Sequence, residues 1–259
     1  MSAAKHRGFR LALGILAALA LLWLAALLIP IGAKAALPSG YEAFRDDALA
    51  ARFCPVFDCP REYGPITAVY YRASRAKSDG SIYIAYHPVW AREWNDAPGF
   101  KPALNRALYT GGLSLQKTIY GRGDIESIGL KLSGDASTIL EMRYETARNY
   151  KASDFSVSHL NVVLEKPAQM RPHFTVVSWN HLFGLVQAMP SFSAGGAAGT
   201  AGIPNAAVSA GEWEPYPAGQ VPVSYFTQKL WKYYEMWKNP RTLLKKDRAH
   251  FEWERPAAE

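Results

Sequence analysis

Residues 11–33, LALGILAALALLWLAALLIPIGA, contain no charged side chain. A run of about 20 apolar residues is long enough to cross a bilayer as a helix. No polar face interrupts it, which sets it apart from the helix of a globular core. Lys5, His6, Arg7 and Arg10 precede the run. The positive-inside rule therefore places residues 1–10 in the cytoplasm and everything after Lys34 on the far side. A cleaved signal peptide is the competing reading, because Ala33-Lys34-Ala35 offers small residues at the A-x-A spacing. Signal-peptide cores run about 7–15 residues, and this one is longer, so the expectation is a retained signal anchor. Residues 182–189 are apolar but too short to cross again. The chain is expected to be a single-pass protein of the cytoplasmic (inner) membrane with its C-terminal part exported.

The sign of the charge has to be read against that topology. Lys5, Arg7 and Arg10 supply three of the net +7, leaving about +4 outside. That is a mild excess rather than a nucleic-acid footprint, so nucleic acid is not an expected partner. The expected partners are the lipid bilayer and an envelope protein. With 8 Trp and 14 Tyr the chain is rich in aromatics, which suit β-structure, grooves and membrane-facing surfaces. The two cysteines lie in Cys54-Pro-Val-Phe-Asp-Cys59. An oxidising compartment favours a disulfide across this short loop. A zinc site needs more ligands, and a redox pair normally has two intervening residues where this chain has four.

Beyond a lead-in segment, 34–64, with one short helix over 41–53, strand signals begin. Residues 66–72 and 81–87 are rich in Tyr, Ile and Val and flank Lys77-Ser78-Asp79-Gly80, a turn signal. A second hairpin is predicted from 124–132 and 138–147 around Ser133-Gly134-Asp135, and further strands over 158–165 and 173–179. Alternating strands without long helical patterns between them predict a mainly β chain, an antiparallel β-sandwich or jelly roll over 65–189. Residues 190–212 are dominated by Gly, Ala and Ser and read as a flexible loop. Residues 213–259 form a C-terminal aromatic and basic region. In it a helix over 225–237 lines up Phe226, Leu230, Tyr233, Tyr234 and Trp237 on one side. Trp231, Tyr234 and Trp237 are candidate contacts with the membrane interface or a partner, and docking against the sheet is the alternative.

Chemistry is most concentrated in Gly123-Asp124-Ile125-Glu126 and Asn180-His181. On a strand, Asp124 and Glu126 share the face of Ile128, Leu130 and Leu132, the core face. Inward carboxylates need partners, because an unpaired buried charge costs several kcal/mol. Arg122 or Arg143 is one candidate partner. A divalent metal held by Asp124, Glu126 and His181 is another, if the strand over 173–179 lies alongside. His87, near Glu93 and Asp96, reads as a hydrogen-bonded structural histidine rather than an acid/base. Ser178 and His181 are three apart on a presumed strand and face opposite ways, so they make no catalytic pair.

A strand with Gly-Asp-x-Glu, followed about 50 residues later by a strand ending in His, resembles the β-sandwich group of the necrosis-inducing NPP1-type proteins and the Vps62-type domains. The matching segments are 82–86, 123–132 and 174–181. The NPP1-type heptapeptide Gly-His-Arg-His-Asp-Trp-Glu corresponds to Tyr120-Gly121-Arg122-Gly123-Asp124-Ile125-Glu126, which lacks both histidines and the Trp. The resemblance implies a sandwich fold with Asp124 and Glu126 near a cation. The anchor, the aromatic basic tail and the lack of a complete catalytic motif favour a binding or assembly role without a cofactor. A metal-dependent binding or hydrolytic domain is the alternative.

Overall fold

The computed structural model describes residues 13–15, 17–21, 40–93, 95–111, 115–167, 171–186, 213–215 and 223–234. The chain is mainly β, with largely antiparallel sheets. Most of the expected anchor and signal-peptide site, the loop 190–212, Trp237 and the tail lie outside the described residues. The described part of the anchor, 13–15 and 17–21, is helical and exposed, with Leu13, Ile15, Leu19 and Leu21 all more than half open. No helix among the described residues is long and apolar enough to cross a membrane.

The lead-in differs from the expected single helix. Tyr41–Phe44 is a strand, β1, paired antiparallel with residues 73–76. The helix is shorter, Asp47–Phe53. Asp46 is the reason: its backbone is extended, and its side chain accepts the Leu49 N–H at 2.9 Å, capping the first turn. Ala50 and Phe53 point into the core, and Cys54-Pro55 ends the helix. Val56–Pro60 follows as β2.

Two long strands, β3 (Ile66–Ala76) and β4 (Ile82–Trp90), form the expected first hairpin. Asp79 closes the turn by accepting the Ser81 N–H at 3.0 Å, with Gly80 at φ +70. Every residue of β4 is buried, so both faces of this central strand are covered. The second hairpin is interrupted. Asp124–Ile125 (β5) pairs with the end of β4, while Ile128–Leu132 (β6) pairs with its start. Ile139–Arg148 (β7) and Ser158–Glu165 (β8) complete the run. The sheet order is β1-β3-β4-β6-β7-β8.

A second sheet has the order β10-β9-β2-β11, from His173–Val176 (β9), Phe183–Leu185 (β10) and Trp213–Pro215 (β11). The strand expected over 173–179 stops at Val176, where a hairpin turns back into β10. The β2–β9 pairing is parallel. One apolar core lies between the sheets: Phe57, Phe174 and Phe183 from the second meet Tyr71, Ile84, Leu130 and Met142 from the first. On the opposite face of the first sheet, Val89 and Ile125 pack with Phe226, Tyr70 and Tyr234. The C-terminal segment supplies this cover. Ser224–Tyr225 (β12) pairs parallel with residues 70–71, and the helix Gln228–Tyr233 follows.

The cysteines are free and buried rather than bridged. Cys59 lies on β2, and four to five residues of extended chain, about 13–16 Å, separate it from Cys54. A disulfide needs Cα atoms within about 7 Å. The Cys59 thiol donates to the Gly64 carbonyl at 2.8 Å and accepts the Trp90 indole N–H at 3.4 Å. Burial pushes Cys54 up to about 12 and Cys59 up to about 11.

Candidate functional site

The site begins at a glycine. Gly123 has φ +77, and a Cβ there would fall 2.6 Å from the Trp90 carbonyl oxygen. Only glycine brings the chain this close to the end of β4. The Gly123 carbonyl accepts from Gln116 Nε2 at 2.9 Å, and Gln116 Oε1 accepts the Glu93 N–H at 3.4 Å. Asp124 then sits opposite Trp90 in β5.

The hairpin turn 177–182 supplies the partner. The His181 N–H donates to the Ser178 carbonyl at 3.0 Å, and the Ser178 hydroxyl accepts the Leu182 N–H at 3.2 Å. His181 takes φ +59, a left-handed conformation uncommon for a residue with a Cβ. Its ring is fully buried and stacked on Trp90, centroids 4.1 Å apart at 8°. Nε2 donates to the Tyr63 carbonyl at 2.8 Å. Nδ1 is 2.6 Å from Asp124 Oδ2. The imidazole is therefore engaged at both nitrogens, by a carboxylate on one side and a backbone carbonyl on the other.

The structure thus brings Asp124 and His181 together, but as a hydrogen-bonded pair and not as co-ligands. A ligating histidine turns a bare nitrogen to the metal, and neither nitrogen of His181 is bare. Glu126 lines the pocket beside Asp124. Among the described residues no group of three His, Cys, Asp or Glu side chains could hold a metal ion. The set Asp124, Glu126 and His181 does not fit one. The arginines are not the answer either. Arg143 pairs with Glu141, and the Arg122 guanidinium lies over the Tyr233 ring, 5.0 Å from its centroid.

In front of Asp124 opens a pocket of about 530 Å³. Its apolar walls include Leu108, Tyr109, Phe155 and Trp179; its polar groups include Glu93, Glu126, His159 and Asn180. Leu108 and Tyr109 come from a π-helical turn, Arg106–Thr110, and Trp179 is fixed by its indole N–H donating to the Asp154 carbonyl at 3.2 Å. Burial first, and the Asp124 charge second, push the Glu93 carboxyl well above the usual range. Glu93 Oε1 accepts the Tyr109 hydroxyl at 3.5 Å.

A second histidine–carboxylate pair stands at the pocket wall. His159 Nδ1 donates to Glu145 Oε2 at 2.7 Å. His159 Nε2 accepts from Asn180 Nδ2 at 3.0 Å, and Asn180 Oδ1 accepts the Ser178 hydroxyl at 2.7 Å. Neither Glu145 nor His159 stands out in the sequence as a site residue. Their signal was diagonal: Glu145 is opposite Asn161 in the β7–β8 ladder, two residues from His159.

The remaining candidates lie elsewhere. His87 is buried with its ring 5.3 Å from Phe226, on the face covered by the C-terminal segment. Ser178 serves the turn and makes no nucleophile–base pair with His181. Tyr234, a candidate for the membrane interface, instead packs on the sheet, 6.1 Å from the Tyr70 ring and 6.3 Å from Phe226. Its backbone carbonyl accepts the Arg122 N–H at 3.0 Å. Trp231 belongs to the same helix. Comparison of the chain with known protein families, curated proteins and solved structures finds no match.

Proposed function

We propose that this chain is a membrane-tethered envelope protein whose exported β domain binds a small ligand in the pocket beside Asp124, without chemistry of its own. One observation carries the reading: the Asp124 carboxylate is held by a fully buried histidine at the wall of a preformed pocket with aromatic sides. A few fixed polar groups in an otherwise apolar concavity are the usual make-up of a ligand site. Both histidines at the site have both nitrogens engaged, which suits positioning better than proton transfer.

The tether, the exported location and the bilayer and envelope partner rest on the apolar run and the basic residues before it. The sandwich likeness to NPP1-type and Vps62-type proteins is part of the same reading; two sheets over one core support it. A second reading, hydrolysis with Glu93 as acid and Asp124 as base, is favoured by the raised Glu93 carboxyl sharing a pocket with the histidine-bound Asp124 carboxylate.

Two experiments test these readings. Alkaline phosphatase fused after residue 259 is expected to be active, and a fluorescent cytoplasmic fusion at the same position would sink the tether topology. A thermal-shift screen of the full chain is expected to find a ligand class that raises Tm in the wild type and not in Asp124→Asn. Turnover of that ligand, lost in both Glu93→Gln and Asp124→Asn, would establish the hydrolytic reading instead.

A further inference from the structure

Two almost fully buried side chains line the pocket, each with an atom lacking any hydrogen-bond partner. Glu93 is 9% exposed with Oε2 unpartnered, and Asn105 is 2% exposed with Oδ1 unpartnered. Buried polar atoms are rarely left so, and a ligand is one ordinary reason for them. Asn105 Nδ2 donates to the Phe155 carbonyl at 3.4 Å, so its oxygen is the end left over. The acidic lining side chains are Glu93, Asp124 and Glu126; no Lys or Arg lines the pocket among the described residues. The surrounding walls are aromatic and aliphatic.

From this donor-poor, acidic and aromatic lining we propose that the pocket takes a primary ammonium cation carrying a small apolar substituent. The proposal rests on the binding reading above and names its ligand class. The N–H groups supply what Glu93 Oε2 and Asn105 Oδ1 lack. The positive charge answers Asp124 and Glu126. The substituent lies among Tyr109, Phe155 and Trp179, where a cation beside aromatic faces is further stabilised. A quaternary ammonium brings charge but no N–H, and a sugar brings hydroxyls but no charge.

A proton moves on binding. The groups sharing the pocket with Glu93 are Tyr109 from the π-helical turn, Asp124 from β5, Glu126 just after it, and His159 from β8. Burial and the Asp124 charge favour the protonated form of Glu93 in the empty pocket. To accept an ammonium N–H at Oε2 the carboxyl gives its proton to solvent, leaving a carboxylate–ammonium pair. Below the folded pKa of Glu93, binding of the amine therefore releases a proton, up to one per site, and affinity rises with pH until that value is passed.

The test is calorimetric titration of the full-length chain with phenethylamine in buffers of different ionisation heat. Saturable binding with net proton release is expected. Glu93→Gln is expected to abolish the release, and both it and Asn105→Leu to weaken binding about tenfold or more. The trimethylated analogue of phenethylamine is expected to bind at least about tenfold more weakly. Equal binding of that analogue, or undiminished affinity in both variants, overturns the proposal. If phenethylamine fails while methyl glucoside or calcium chloride stabilises the wild type and not Asp124→Asn, the ligand class falls and the binding pocket stands. If none of these probes binds, both fall.

Discussion

Two histidine–carboxylate pairs stand at one pocket and are built to opposite ends. His181 is fully buried, stacked on Trp90, held in a left-handed backbone, and flanked by Asp124 and the Tyr63 carbonyl. His159 sits on the edge strand β8 with its side chain 39% exposed, tied to Glu145 and Asn180. The chemical groups are the same. Water decides what they do. Both carboxylates are nearly buried, and the pairs differ in the imidazole: the buried His181 has no solvent to turn to, whereas the half-exposed His159 can trade its contacts with water.

The contrast breaks most readily at its sealed end. His181→Ala leaves the Asp124 carboxylate with no imidazole, and breaking such a pair costs about 3–5 kcal/mol. For a domain of this size that is a fall in Tm of roughly 6–20 °C by calorimetry. Gly123→Ala attacks the same end through the backbone, setting a Cβ against the Trp90 carbonyl at a positive φ. A loss of about 2 kcal/mol is expected in urea unfolding. The half-exposed end should respond less: His159→Ala takes a donor from the buried Glu145 carboxylate and is expected to cost about 1–2 kcal/mol. If His159→Ala and His181→Ala prove equally costly, burial is not what separates the pairs.

Glu93 sharpens the comparison, being a sealed acid without a histidine. Its pKa is raised in the folded chain, so the native state holds a proton that the unfolded chain releases. Its contribution is complete below the unfolded value, about 4.3, and declines as pH rises toward the folded value. The slope is at most about 1.4 kcal/mol per pH unit. Over pH 5–8 the Tm of Glu93→Gln should therefore gain steadily on the wild type. The smallest effect belongs to the thiols. With Cys54 and Cys59 raised to about 12 and 11, neither should react with iodoacetamide at pH 8 until the chain is unfolded.

What the sequence made legible follows from how local each signal is. Residues 158–165 alternate and carry the strand signal, and β8 occupies the same residues. The first hairpin turns where Asp79-Gly80 says it should. Strand parity placed Asp124 on the core face, and the meeting with His181 needed only that the later strand run alongside. The partner's nature was not legible, because the turn that re-aims His181 comes two residues beyond the point where β9 ends. β1 and β2 were hidden for a different reason. Their partners lie about 30 and more than 100 residues away, and a strand completed by distant pairing carries little pattern of its own. The same distance hid Glu93, whose environment is assembled from Gln116, Asp124 and Tyr109.

One strap has a consequence in time. β12 lies beside residues 70–71, and the Arg72 guanidinium donates to the Phe226 carbonyl at 2.8 and 3.0 Å, across a separation of 154 residues. Tyr234 then closes on the backbone of Arg122, one residue before Gly123. The first long strand and the acidic site both wait for a piece of chain made more than 100 residues later. During synthesis β3 therefore spends most of its existence with part of its edge bare, and such edges recruit other chains. That edge is completed only when residues 224–226 have arrived, so the interval before then is when copies of the unfinished chain can pair with one another.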